Sequence, residues 1–91
     1  MKSEIWNQSW WIDEVNPGEL EPMCQRRLLA SGFGVMGFIE HHFEPQGWTG
    51  LWLLAESHLA VHTFPEENRT YIELSSCNEN SYNQFKAKME L

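Results

Sequence analysis

Apolar and polar positions along the chain change period several times, and each change marks an element. Between Glu19 and Ser31, Leu20, Cys24 and Leu28 recur at every fourth position, the spacing of one helix face. Asn16-Pro17-Gly18 breaks the chain before this helix, and Gly32 and Gly34 suit its stop. Pro22 falls early, where a first helical turn tolerates it. Ser9-Trp10-Trp11-Ile12-Asp13 is short, aromatic and β-prone, and reads as a first strand. Phe33 to Phe43, Trp48 to Ala55, Ser57 to Phe64 and Arg69 to Ser76 read as four more. Turns at Pro45-Gln46-Gly47 and Pro65-Glu66-Glu67-Asn68 separate them. Tyr71, Glu73 and Ser75 alternate with Ile72 and Leu74, the pattern of a half-buried strand. Leu51-Trp52-Leu53-Leu54 is continuous, which predicts burial on both faces in places. Asn78 can cap a last helix whose apolar stripe is Tyr82, Phe85 and Met89. The order β-α-β-β-β-β-α predicts an α+β fold: a two-layer antiparallel β-sheet with helices packed on one face, in a single domain over residues 1–91.

Turn positions also predict register. A hairpin centred on Glu66-Glu67 puts Ser57 opposite Ser76 and Cys77 opposite Glu56, so the thiol lies beside the Glu56–Ser57 peptide bond. A hairpin centred near Pro45-Gln46 puts Phe43 opposite Thr49. His62 does not join Ser57 this way. Five residues of straight strand span about 17 Å, and the two side chains point to opposite faces.

Composition narrows the function. Thirteen acidic residues against six basic ones leave a net charge of -7, which argues against a phosphate-backbone binder and so against nucleic acid. No apolar run approaches a membrane span and no signal-peptide pattern opens the chain, so a cytoplasmic protein is expected. Cys24 and Cys77 are too few and too far apart for a disulfide framework or a zinc knuckle, and free thiols are expected. His41, His42, His58 and His62 lack a carboxylate or thiol at a known ligand spacing, so no metal is expected. The Gly-x-Ser-x-Gly elbow of a serine hydrolase is absent. From spacing alone, Ser57 is an ordinary strand residue, Cys24 and Cys77 are small buried hydrophobes, and Phe43 and Phe64 are core residues. Ninety-one residues with five Trp and five Phe make only a modest core, which makes an oligomer plausible.

Three stretches are more specific than any of this. Phe43-Glu44-Pro45-Gln46-Gly47-Trp48-Thr49-Gly50, then Leu53-Leu54-Ala55-Glu56-Ser57-His58-Leu59-Ala60-Val61-His62-Thr63-Phe64-Pro65-Glu66, then Cys77, resemble the prokaryotic S-adenosylmethionine decarboxylase proenzymes. The resemblance implies self-cleavage between Glu56 and Ser57, giving fragments 1–56 and 57–91. The Ser oxygen attacks the preceding carbonyl, the amide becomes an ester, and elimination and hydrolysis leave a pyruvoyl group derived from Ser57. That covalent cofactor does the work usually given to pyridoxal phosphate, accepting the electrons left when CO₂ departs. The implied substrate is S-adenosylmethionine, and the implied product is the aminopropyl donor for spermidine.

By position, the resemblance implies that His62 promotes processing and that Thr49 is a processing hydroxyl. Cys77 would donate a proton to the substrate carbon. Glu66 would bind the ribose hydroxyls and Phe43 would stack on the adenine. It also implies a homodimer of processed protomers that completes the site at its interface. The chain departs from the pattern at Trp10-Trp11-Ile12-Asp13-Glu14, where an aliphatic strand is usual. Trp48 and Trp52 are bulky, which could reshape the pocket, and Phe64 stands where Trp is common. These departures leave two other readings open. One is a pyruvoyl decarboxylase of another amino acid, such as ornithine or arginine. The other is an unprocessed, inactive paralogue acting as a binding partner.

Overall fold

The computed structural model describes residues 3–90. Its elements are β1 (Trp6–Ile12), α1 (Pro17–Ala30), β2 (Val35–His42), β3 (Trp48–Leu54), β4 (Ser57–Phe64), a 3₁₀ turn (Pro65–Glu67), β5 (Arg69–Ser76) and α2 (Glu79–Met89). The expected order holds throughout. The five strands form one sheet in the order β1-β5-β4-β3-β2, antiparallel at every pairing.

The ends of α1 are built from local chemistry. The Asn16 side chain accepts the Gly18 backbone N–H at 2.9 Å, and Pro17 takes the first helical position, where a missing N–H costs nothing. The helix therefore starts earlier than its apolar spacing suggested. Pro22 lies inside it rather than in its first turn. At the far end Gly32 has a φ of 90°, and the Phe33 N–H reaches back to the Leu28 carbonyl at 3.1 Å, closing the helix in a Schellman-type stop. Helix α2 begins at the expected cap, the Asn78 side chain accepting the Ser81 N–H at 3.1 Å.

Both helices cover one face of the sheet. Leu20, Cys24 and Leu28 of α1 and Tyr82 and Phe85 of α2 are buried against Trp48, Trp52, Leu54, Leu59, Val61, Ile72 and Leu74. The indoles of the two core tryptophans are satisfied: Trp48 Nε1 donates to Glu40 at 2.8 Å and Trp52 Nε1 to Gln25 at 2.9 Å. Trp48 folds across Gly50, where a Cβ would stand 2.6 Å from its ring.

The other face is open, which corrects the expectation that β3 is buried on both sides. Trp52 and Leu54 are buried, but Leu51 and Leu53 are 39% and 60% exposed, beside Ile39 of β2 at 68%. With no layer above them, these apolar side chains meet solvent. Phe43 and Phe64, core residues by default, are exposed as well. Both sit at a hairpin rim beyond the reach of the helices.

Candidate active site

Register delivers one half of the site as expected. Ser57 pairs with Ser76 across β4 and β5. The next step beyond that pair brings Cys77 to the turn between β3 and β4, where its Sγ lies 3.1 Å from the Glu56 carbonyl oxygen and 3.3 Å from Glu56 Oε2. The S–H is shared between these two acceptors, and both sit at the Glu56–Ser57 bond. Glu56 occupies the turn at a φ of 60°, a left-handed conformation that costs a non-glycine residue about 1–2 kcal/mol. Ser57 is buried, and its hydroxyl donates to Ser76 Oγ at 2.7 Å. Ser76 Oγ in turn accepts the Asn78 N–H at 2.9 Å. The hydrogen bond from Cys77 to Glu56, then desolvation, then the negative charge of Glu56, hold the Cys77 thiol above its ordinary pKa. The backbone N–H of Cys77 pulls the other way.

The second half lies at the other end of β4. Thr49 pairs with His62, and Thr49 Oγ1 is hydrogen-bonded to His62 Nδ1 at 2.8 Å. A cleft of about 330 Å³ opens there, lined by Phe43, Thr49, His62, Phe64 and Glu66 among others. Gln46 Nε2 donates to Glu66 at 3.1 Å across its mouth. The expected pairing of Phe43 with Thr49 is off by two residues. Thr49 faces His41, and the Phe43 N–H bonds Gly47 at 2.8 Å. The tight closure is between Phe43 and Gly47, so the hairpin centres on Pro45. A two-residue slip preserves the face, and Phe43 and Thr49 still share the cleft.

His62 and Ser57 are not brought together within one chain. β4 runs without a break in register, so the two stay about 17 Å apart along the strand and on opposite faces. Alternation nevertheless unites the two halves on one surface. Glu56, His58, Ala60, His62 and Phe64 follow one row of β4, and Tyr71, Glu73, Ser75 and Cys77 follow the matching row of β5. Both rows belong to the open face, with the cleft at one end and the Glu56–Cys77 contact at the other.

Sequence reasoning missed several of these neighbours. Ser76 was visible as the partner of Ser57, but no motif marked it as a hydrogen-bond acceptor. Trp11 packs on Phe64 and Tyr71 and carries the Arg69 guanidinium 3.7 Å above its ring, an aromatic wall beside the cleft. Trp11 thus lies near the cleft. Trp52 fills the core between sheet and helix. Among the described residues no cluster of three His, Cys, Asp or Glu side chains can hold a metal. Nor is any helix among the described residues long and apolar enough to cross a membrane.

Comparison with known proteins decides the family. Residues 15–90 match the family model for S-adenosylmethionine decarboxylase. The chain belongs to the S-adenosylmethionine decarboxylase family. Curated relatives named S-adenosylmethionine decarboxylase proenzyme include one from Prochlorococcus marinus, 49% identical over 47 residues, or 52% of this chain and 38% of that protein. Another from Methanococcus vannielii is 34% identical over 76 residues, 84% of this chain and 62% of its own length. One from Geobacillus is 36% identical over 82% of this chain and 60% of its own. The chain thus spans about two fifths to three fifths of these relatives. The crystal structure of the adenosylmethionine decarboxylase from Aquifex aeolicus superimposes with a TM-score of 0.73, covering 99% of this chain and 83% of that one. At 16% identity that likeness concerns the fold.

Proposed function

We propose that this chain cleaves itself between Glu56 and Ser57 and then decarboxylates S-adenosylmethionine, giving CO₂ and an aminopropyl donor for spermidine synthesis. One observation carries the reading: the Cys77 thiol rests on the carbonyl of the bond that would break. Family membership and the strained Glu56 turn support it.

Ser57 is the nucleophile against the Glu56 carbonyl. Its hydroxyl is held by Ser76, an acceptor that can take up its proton's hydrogen bond as the oxygen turns to attack. Position 57 also suits the pyruvoyl group it would become. Ser76 Oγ and Cys77 Sγ flank it; the thiol can donate to a ketone oxygen, and the Ser76 hydroxyl, which now donates to the Asn78 carbonyl at 3.3 Å, can do so by rotating. That group supplies an electron sink for the carbanion left by departing CO₂. Cys77, held protonated by Glu56, is poised to return a proton to the substrate carbon. In the cleft, Phe43 offers a ring face for the adenine, and Glu66 offers two oxygens for ribose hydroxyls. Thr49 holds His62 for the processing steps.

Because cleft and scissile bond lie at opposite ends of one face, a second copy completes the site. Laid antiparallel across the open face, it places its cleft over the first copy's Glu56–Cys77 end, and symmetry does the reverse at the other end. Ile39, Leu51 and Leu53 form the apolar centre of that contact. Two free thiols suit a reducing cytoplasm.

Intact mass under denaturing conditions tests the cleavage. The expected result is two fragments dividing at Glu56–Ser57, the second blocked to N-terminal sequencing. A single chain that persists on long incubation overturns it. Release of CO₂ from carboxyl-labelled S-adenosylmethionine tests the substrate; release from ornithine or arginine alone would reassign it.

A further inference from the structure

Among the described residues, the thiol of Cys77 faces one titratable group, Glu56. Ser75 and Ser76 precede it on β5 and carry no charge. On α2, which follows, the nearest acid in sequence is Glu79, in the first turn. Glu56 meets the thiol through two different oxygens, one of the side chain at 3.3 Å and one of the backbone at 3.1 Å. The second is a neutral amide oxygen in the intact chain, and cleavage would change its nature.

We propose that Glu56 is a positioning residue that keeps Cys77 loaded with its proton, with one carboxylate before cleavage and with two after it. The second half rests on the cleavage proposed above. When the Ser57 hydroxyl attacks, the C–N bond to Glu56 breaks and an ester forms. Elimination then breaks the Ser57 Oγ–Cβ bond as a base removes the Cα proton, so both ester oxygens leave with Glu56 as an α-carboxylate. Water hydrolyses the resulting enamine and releases ammonia. One oxygen of the new carboxylate is the carbonyl oxygen that already accepts from Cys77. The fragment end created by processing is thus a second anion against the thiol. A thiolate beside two carboxylates is disfavoured by like charge, and the acceptor that the neutral thiol already has becomes anionic. Processing and proton delivery are coupled: the cut that makes the electron sink also secures the proton.

Thiol alkylation measured against pH tests this without reference to turnover. Cys24 is buried with its thiol pushed up to about 12, so iodoacetamide reports on Cys77. Three proteins are compared, with folding checked by near-ultraviolet circular dichroism: the cleaved wild type, uncleaved Ser57→Ala, and Ser57→Ala carrying Glu56→Gln. The alkylation midpoint is expected to be lowest in the double variant, higher in Ser57→Ala and highest in the cleaved protein. Equal midpoints for the two uncleaved proteins overturn the side-chain half. Equal midpoints for the cleaved protein and Ser57→Ala overturn the second. If intact mass finds the wild type uncut, the cleavage reading fails, whereas the side-chain half is still decided by the two uncleaved proteins.

Discussion

Ser57 and Ser76 show what a single register pair can carry. The hydroxyl of Ser57 is buried and tied to Ser76 Oγ, which is itself fixed by the backbone of Asn78. Ser76→Ala removes one neutral hydrogen bond of about 1 kcal/mol from Ser57, the proposed nucleophile, so cleavage is expected to slow about five-fold. Ser76→Thr restores a hydroxyl at the same atom and is expected to recover most of the rate. A mass time course of freshly translated protein reads both, and an unchanged rate in Ser76→Ala removes Ser76 from the processing step. The pairing itself was legible from the turn at Glu66-Glu67, because an antiparallel hairpin has one free parameter, its centre. The role was not. A serine at a strand end is common, and only the third dimension shows what its oxygen touches.

Helix α1 and strand β3 carry the next scale. Cys24 was placed on the buried face of α1 by its spacing from Leu20 and Leu28, and all three are fully buried. Burial pushes its thiol up to about 12, against an ordinary thiol near 8.5 in the unfolded chain. The folded state therefore holds this proton more tightly than the unfolded state does. Its contribution to stability is complete below about pH 8.5 and is lost as the pH rises toward 12, at up to about 1.4 kcal/mol per pH unit. Urea midpoints at pH 8 and pH 10 are expected to fall further in wild type than in Cys24→Ala. Parallel losses in the two proteins would refute this. On β3, Gly50 allows the Trp48 ring to cross the strand, and an added Cβ would meet that ring at 2.6 Å and 2.9 Å. Gly50→Ala is expected to cost about 1–3 kcal/mol in urea unfolding, because the indole is fully buried and bonded to Glu40 and cannot withdraw. Periodicity found these elements because each has one buried face. It misread Leu51 and Leu53 because an apolar run reads alike whether its second face meets the same chain, another copy or water.

For the whole molecule, that open face is the deciding feature. The cleft with Phe43, Thr49, His62 and Glu66 and the contact of Glu56 with Cys77 sit at its two ends, and one strand cannot bring them together. The family resemblance named these residues from the sequence, but the distance between the two groups is a property of β4 being straight. The face-to-face pair proposed above would resolve the distance and bury Ile39, Leu51 and Leu53 together. Sedimentation is expected to show a dimer, and Leu53→Glu a monomer whose residues still fold, since Leu53 is mostly exposed and is not a member of the helix-side core. A net charge of -7 on each copy opposes association, so the dimer is expected to tighten as salt is raised from low to physiological strength. Mixed dimers separate this arrangement from a site contained in one chain. Cys77→Ala and Glu66→Gln damage opposite ends and are each expected to be inactive as purified dimers. Co-expressed in equal amounts, they are expected to recover about a quarter of the wild-type decarboxylation, because half the dimers are mixed and each of those carries one intact site. A site built within one chain predicts no recovery, since every chain in the mixture is then broken at one end or the other.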